Sequence, residues 1–400
     1  MPSPWPDHPG VLLRDPYHYS DDMLVIPPML APCLGCFDGK QTDLDLRAML
    51  VRLTGALEVG ETARQLADTL STAGFLEDEA FAAMRGQRRR EFAERPVREA
   101  AHAGSAYPAE PEQLRETMAQ YMQADPAGAS DDAGLLRGIA APHVSPDGGW
   151  RCYRAAYGLL GPEHRERTFV ILATSHYGDP ETFGLTRKDF VTPLGQAACD
   201  TRLVEWLAEH GGEGAVMEDY CHSFEHTVEF QVVFLQHALG PDVRILPILC
   251  GSFAHSILGG GQPEDDDRVK RFLDALGELG EREGDRLFWV LGVDMAHMGA
   301  RYGDDFTASA NEGRMTEVAA RDQARMERIA ASDARGFWDL TIPDRDPLKW
   351  CGSAPFYAFL KAAPQLKGEI LRYEQWNIDA RSVVSFAGMA FRGPRERSRL

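Results

Sequence analysis

The sequence predicts an α/β fold: a three-layer sandwich in which helices cover both sides of a mostly parallel central sheet, preceded by a small N-terminal helical or winged-helix module. Three observations lead there. Four short apolar runs, LLRGIAAPH (135–143), TFVILATSH (168–176), VRILPILCGS (243–252) and RLFWVLGVDMAH (286–297), have the length and β-branched content of buried strands. Stretches of helical character separate them, and such alternation specifies a parallel sheet with helical covers. The pattern also changes near Arg98, which divides the chain into a first domain at 1–98 and a second at 99–400.

In the first domain a Pro-rich start leads to a short apolar segment and a turn at Asp38-Gly39. A helix follows with Thr42 as its N-cap, and two more helical patterns bring Leu66, Leu70, Phe75 and Leu76 onto a narrow apolar face. Cys33 and Cys36 have redox-motif spacing, but no second pair accompanies them to make a zinc site. RGQRRREFAERPVR (85–98) reads as a solvated helix face and linker. In the second domain the helical stretches are 106–123, 201–211, 226–239, 267–283 and 311–331. GGGQPEDDD (259–267) reads as an exposed acidic loop.

Composition narrows the function classes. A net charge of −19 argues against a nucleic-acid partner, which needs a basic footprint. The N-terminus has neither the basic nor the apolar region of a signal peptide, and no run reaches the length of a membrane span. Seven scattered cysteines fit a reducing cytoplasm better than a disulfide framework. No GxGxxG follows the first strand and no P-loop occurs, so a nucleotide cofactor is not expected; the absence of G-x-S-x-G counts against a serine hydrolase.

Three apolar runs end in histidine: His143, His176 and His297. The carboxyl ends of parallel strands are where such sheets bind ligands. Neutral imidazole suits iron, copper and zinc, and two histidines with one carboxylate form a familiar open iron site. In FWVLGVDMAHMG (288–299), Asp294 and His297 share one such end with Ala296 between them. A further cluster lies in EDYCHSFEHTVEFQVVFL (218–235). His222 and His226 are four apart, as are Glu225 and Glu229, so each pair shares a face if the segment is helical throughout; alternatively His222 lies in the preceding turn and His226 alone faces the crevice. HSFEH is not the HExxH of a zinc protease.

Taken in order, REAAHAGSAYP, IAAPH, ILATSHYG, DYCHSFEHTVEFQVVFLQ, VDMAHMG, WCGSAP and VVSFAGMAF resemble the motifs of the Memo family, which includes the bacterial AmmeMemoRadiSam system protein B. The likeness spans about 97–392, with Thr227 and Val233 in place of a usual serine and proline. It implies a fold related to class III extradiol dioxygenases, with His143 and His176 as metal ligands. Asp219, His222, Glu225 and His226 would line the crevice, with Asp294 and His297 on its far wall. It also implies a cysteine ligand where this chain has Ala296, so that the ligand set is incomplete unless Asp294 or His297 completes it. The APH motif continues differently from many members, so substrate identity does not transfer. The expectation is a cytoplasmic, metal-dependent, dioxygenase-like oxidoreductase acting on a small molecule. Iron, copper or zinc would be bound by His143, His176 and Asp294, and His226, His297, Asp294, Glu225 and His222 would serve the chemistry. The alternative is a non-catalytic accessory protein with a degenerate crevice, working with a radical-SAM-associated partner.

Overall fold

The computed structural model describes residues 3–123 and 134–394. The chain divides into two compact units, Met1–Glu94 and Arg95–Leu400. In the first, strands Val11–Arg14 and Met23–Ile26 pair antiparallel, and helices Asp43–Thr54, Gly60–Thr72 and Glu79–Glu94 follow. Thr42 caps the first helix in a reciprocal capping box with Asp45, so that two otherwise orphaned backbone donors are satisfied. Leu46, Leu50, Leu66 and Leu70 form its small core with Ile26 and Cys33.

Among the described residues, the second unit is built on a twelve-stranded sheet. Its centre consists of β1 (Leu135–Ala141), β2 (Thr168–Thr174), β3 (Arg244–Cys250) and β4 (Leu287–Gly292), all parallel, in the order β1-β4-β2-β3. A long final strand, β5 (Ser382–Gly393), runs antiparallel beside β1. Along β2 the side chains alternate between two cores. Phe169, Ile171 and Ala173 pack with helices α1 (Pro146–Tyr157) and α2 (His226–Leu239), whereas Val170 and Leu172 pack with α3 (Asp267–Glu283), α4 (Arg314–Ala330) and α5 (Ser353–Ala362). A strand buried on both faces cannot be amphipathic, which is why these runs are continuously apolar.

Two segments differ from the expectation drawn from apolar runs. Lys367–Asp379 is a strand paired with β5, yet polar residues interrupt it and most of its residues are only partly buried, so it forms no continuous apolar run. The acidic 259–267 segment has a structural role: Asp266 caps α3 through the backbone N–H of Arg268, Pro263 is buried, and Glu264 accepts the Tyr357 hydroxyl.

Arg98, which reads as linker in the sequence, belongs to the sheet unit. Val97–Arg98 pairs with Asp189–Thr192, and the Arg98 side chain is buried against Glu229 on α2. Its other nitrogens donate to the carbonyls of His222 (2.8 Å) and Glu225 (2.9 Å). Glu229 also accepts the Tyr107 hydroxyl and the backbone N–H groups of Ala101 and His102. Breaking one side of a buried ion pair costs about 3–5 kcal/mol. A fragment of residues 95–400 is therefore expected to unfold cooperatively in urea, while 99–400, lacking Arg98, loses that much stability. Equal midpoints would show that the pair is dispensable.

Candidate metal centre

Three imidazoles meet at the carboxyl ends of β1 and β2 and the start of α2. The ring centroids of His143, His176 and His226 are 5.1, 5.3 and 5.2 Å apart, a nearly equilateral triangle. His143 side-chain exposure is 2%, against 29% for His176 and 28% for His226, so the triangle opens to solvent on the side of the latter two.

Each ring is fixed through Nδ1. His143 Nδ1 lies 3.0 Å from the Gly292 carbonyl at the end of β4; a carbonyl only accepts, which assigns the proton to Nδ1 and leaves Nε2 as a lone-pair donor. His176 Nδ1 lies 3.1 and 3.2 Å from the two Glu225 oxygens, and His226 Nδ1 lies 3.0 Å from one of them. The same carboxylate accepts the backbone N–H groups of His176 and His226, each at 2.9 Å. Glu225 is the N-cap of α2, where the helix end favours an anion. Burial raises its pKa, but the His176 and His226 rings outweigh burial and hold it well below the usual carboxylate range. Conversely, burial lowers the His176 pKa and the Glu225 charge carries it well above the ordinary value.

The third ligand-type atom is the thiol of Cys351, in the turn before α5. Its Sγ is 3.2 Å from His143 Nε2, and ligand atoms of His143, His176 and Cys351 all lie within 4.8 Å of one another. The turn is pinned at both sides: Thr174 Oγ1 donates to the Cys351 carbonyl (2.9 Å), and Gly352 N donates to the Asp294 carbonyl (3.0 Å). A Cβ at Gly352 would sit 2.6 Å from that carbonyl oxygen, so only glycine lets the turn come this close. Burial raises the Cys351 pKa against the pull of His176.

This arrangement corrects the reading of Ala296 as the place of a lost ligand. Ala296 is fully buried in the apolar core, its N–H given to Ser385 Oγ (2.8 Å) and its carbonyl to Ser385 N (2.9 Å). The thiol comes instead from WCGSAP, more than 200 residues from His143, where no local spacing relates the two. Asp294, expected as a ligand, lies beside the set: Oδ1 accepts His143 N (2.9 Å) and Oδ2 is 3.6 Å from His143 Nε2. Among the described residues it belongs to neither group with metal-ligand spacing; the second of these is His176, Glu225 and His226. Burial raises its pKa to about 6 against the N–H groups of His143 and Val144, and burial lowers that of His143 well below normal.

His222 lies in the turn Tyr220–Ser223 that precedes α2, and its Nε2 is 3.0 Å from the Gly184 carbonyl, so it does not join the triangle. Asp219 caps that turn through Cys221 N. His297 Nδ1 is held by the carbonyls of Met295 (2.9 Å) and Lys349 (3.1 Å), with its ring against Tyr302, on the flank of the site. His102 and Glu229, for which the sequence suggests no chemical role, stand behind His226 and behind Arg98 respectively.

A family model described as Memo-like protein matches residues 98–390. A MEMO1 family protein of Aquifex aeolicus is 26% identical over 384 residues, covering 95% of both chains. MEMO1 family proteins of Methanosarcina barkeri and Thermococcus kodakarensis are 25% and 28% identical, covering 73% and 74% of this chain and 99% of their own.

Burial lowers the His297 pKa to about 4. The folded protein therefore keeps this ring neutral while the unfolded chain takes up a proton below about 6.5. Stability is lost as pH falls from that value toward 4, by up to about 3 kcal/mol. Asp294 acts with the opposite sign, since its folded carboxyl retains a proton up to about pH 6. The difference between His297→Gln and the parent isolates the first effect: in urea at pH 7.5 and pH 4.5 the variant should gain on the parent at the lower pH. A constant difference would contradict this.

Proposed function

Because this chain belongs to the Memo-like protein family, we propose that its crevice is a metal centre held by His143, His176 and Cys351, serving a metal-dependent oxidoreductase that acts on a small molecule. The observation that carries this reading is a set of two imidazoles and a thiol with mutual spacing below 4.8 Å, in which Nδ1 of both imidazoles is already engaged. Metal-ligating histidines almost always give the other ring nitrogen to a carbonyl or carboxylate, and Gly292 and Glu225 supply one of each. The 3.2 Å between His143 Nε2 and Cys351 Sγ is close to the roughly 3.5 Å edge of a tetrahedron with ligand distances of 2.0–2.3 Å. One thiolate with two imidazoles suits copper, zinc or iron.

Such an ion, when bound, supplies charge stabilisation and, if it is copper or iron, electron exchange. The residues around it manage protons and access. His226 faces the solvent side with Nδ1 tied to Glu225, which leaves Nε2 to take a proton from a substrate or return it, as a carboxylate-oriented base does. Asp294, with a pKa near 6, is a second group able to hold a proton close to neutrality. His297 stays neutral and closes the far wall. His143, 2% exposed, forms the inner side of the site.

Protein purified without a histidine tag and assayed for metal is expected to hold about one equivalent, and Cys351→Ala and His143→Ala should each weaken binding at least tenfold. Ala296→Cys should leave the affinity unchanged, because that position faces the core. A parent that takes up no metal would overturn the reading in favour of a binding protein without turnover, and a Cys351→Ala variant with parental affinity would remove Cys351 from the ligand set.

A further inference from the structure

We propose that Asp322 on α4 is a positioning residue that sets the direction of the Cys351 thiol through the indole of Trp350; the inference rests on the reading of Cys351 as a ligand. Asp322 has no solvent exposure. Its Oδ1 accepts the Trp350 indole N–H at 2.7 Å, immediately before Cys351 in the chain. Its Oδ2 accepts the hydroxyls of Tyr373 (2.7 Å) and Ser385 (2.6 Å), and Ser385 Oγ in turn accepts Ala296 N. One carboxylate thus braces both walls of the crevice, the 294–297 segment and the 350–352 turn.

The segment leading to Cys351 needs such a brace. Asp344, Arg345, Asp346 and Lys349 all have left-handed backbone, with φ of 54°, 60°, 52° and 55°. Non-glycine residues held there cost about 1 kcal/mol or more each and persist only where the surroundings over-determine them. Trp350 is over-determined. Its backbone N–H goes to Asp346 Oδ2 (2.8 Å), Arg325 pairs with Asp346 Oδ1 (2.8 Å), and the Arg325 guanidinium covers the Trp350 ring at 5.1 Å. An apolar core of the same volume is often at least as stable as a buried charged network, so stability alone does not call for a carboxylate at this place. What the carboxylate adds is direction, since the indole bond fixes the rotation of the residue beside the thiol.

The test compares Trp350→Phe, Asp322→Leu and Asp322→Asn with the parent, and with Leu279→Ala as a core variant outside the network. Two quantities are read: zinc affinity by competition with a chromophoric chelator, and the rate of Cys351 alkylation by iodoacetamide in metal-free protein, followed on its peptide by mass spectrometry. Trp350→Phe and Asp322→Leu are expected to weaken zinc binding about 10–100-fold, as loss of an outer partner does. They should also speed alkylation about tenfold, because the turn is released from its clamp. Asp322→Asn keeps an acceptor for the indole and should stay within about threefold of the parent on both counts. Parental values for Trp350→Phe, or equal changes in Leu279→Ala at matched loss of melting temperature, would overturn the proposal. If Asp322→Leu does not fold, Trp350→Phe decides alone. If the parent takes up no zinc, the alkylation rates alone decide on positioning, and the metal content of the purified protein decides the metal reading.

Discussion

Glu225 is 1% exposed at the N-cap of α2; its Oε1 accepts from His226 and His176, and its Oε2 from His176. A carboxylate taken out of water costs several kcal/mol, which is offset only when nearly every lone pair is satisfied. Here two backbone N–H groups, two imidazoles and the end of a helix meet that requirement, and the requirement in turn dictates where β2 ends and where α2 begins. With Nδ1 of two rings committed below, their Nε2 atoms are left for the crevice. His143 reaches the same state by a different route, through a backbone carbonyl.

The electrostatics follow from that anion. Glu225 draws a proton onto His176, while burial drives His143 and Asp294, on the other side of the triangle, toward neutrality. A cation held by His176 and Cys351 would displace protons from them, so that its binding would be coupled to proton release. Arg98 provides the support underneath. By holding the carbonyls of His222 and Glu225 it fixes the backbone that presents Glu225, and Glu229 neutralises its charge.

Much of this was legible in the sequence. Continuous apolar runs gave the four central strands, and the positions directly after them gave His143, His176 and Asp294, because both signals are local. His226 was legible with an ambiguity that the backbone resolved: the helix begins at His226, so the i,i+4 relation with His222 never forms. Cys351 lies in WCGSAP, where no local pattern marks a role, since proximity to His143 depends on the packing of α5 against the sheet. Arg98 reads as linker because it closes the charged run RGQRRREFAERPVR; only the tertiary ion pair reveals its role. Asp322 sits among the charged residues of α4, where a buried carboxylate cannot be told from a solvated one by spacing.

Cys351 brings a sulfur atom to the two imidazoles that would share one ion with it. X-ray absorption at the zinc edge of the zinc-loaded protein tests this arrangement most directly. One sulfur neighbour is expected at about 2.3 Å beside nitrogen or oxygen neighbours at about 2.0–2.1 Å, with the sulfur shell lost in Cys351→Ser. A first shell of nitrogen and oxygen alone in the parent would contradict it, returning the third place to Asp294.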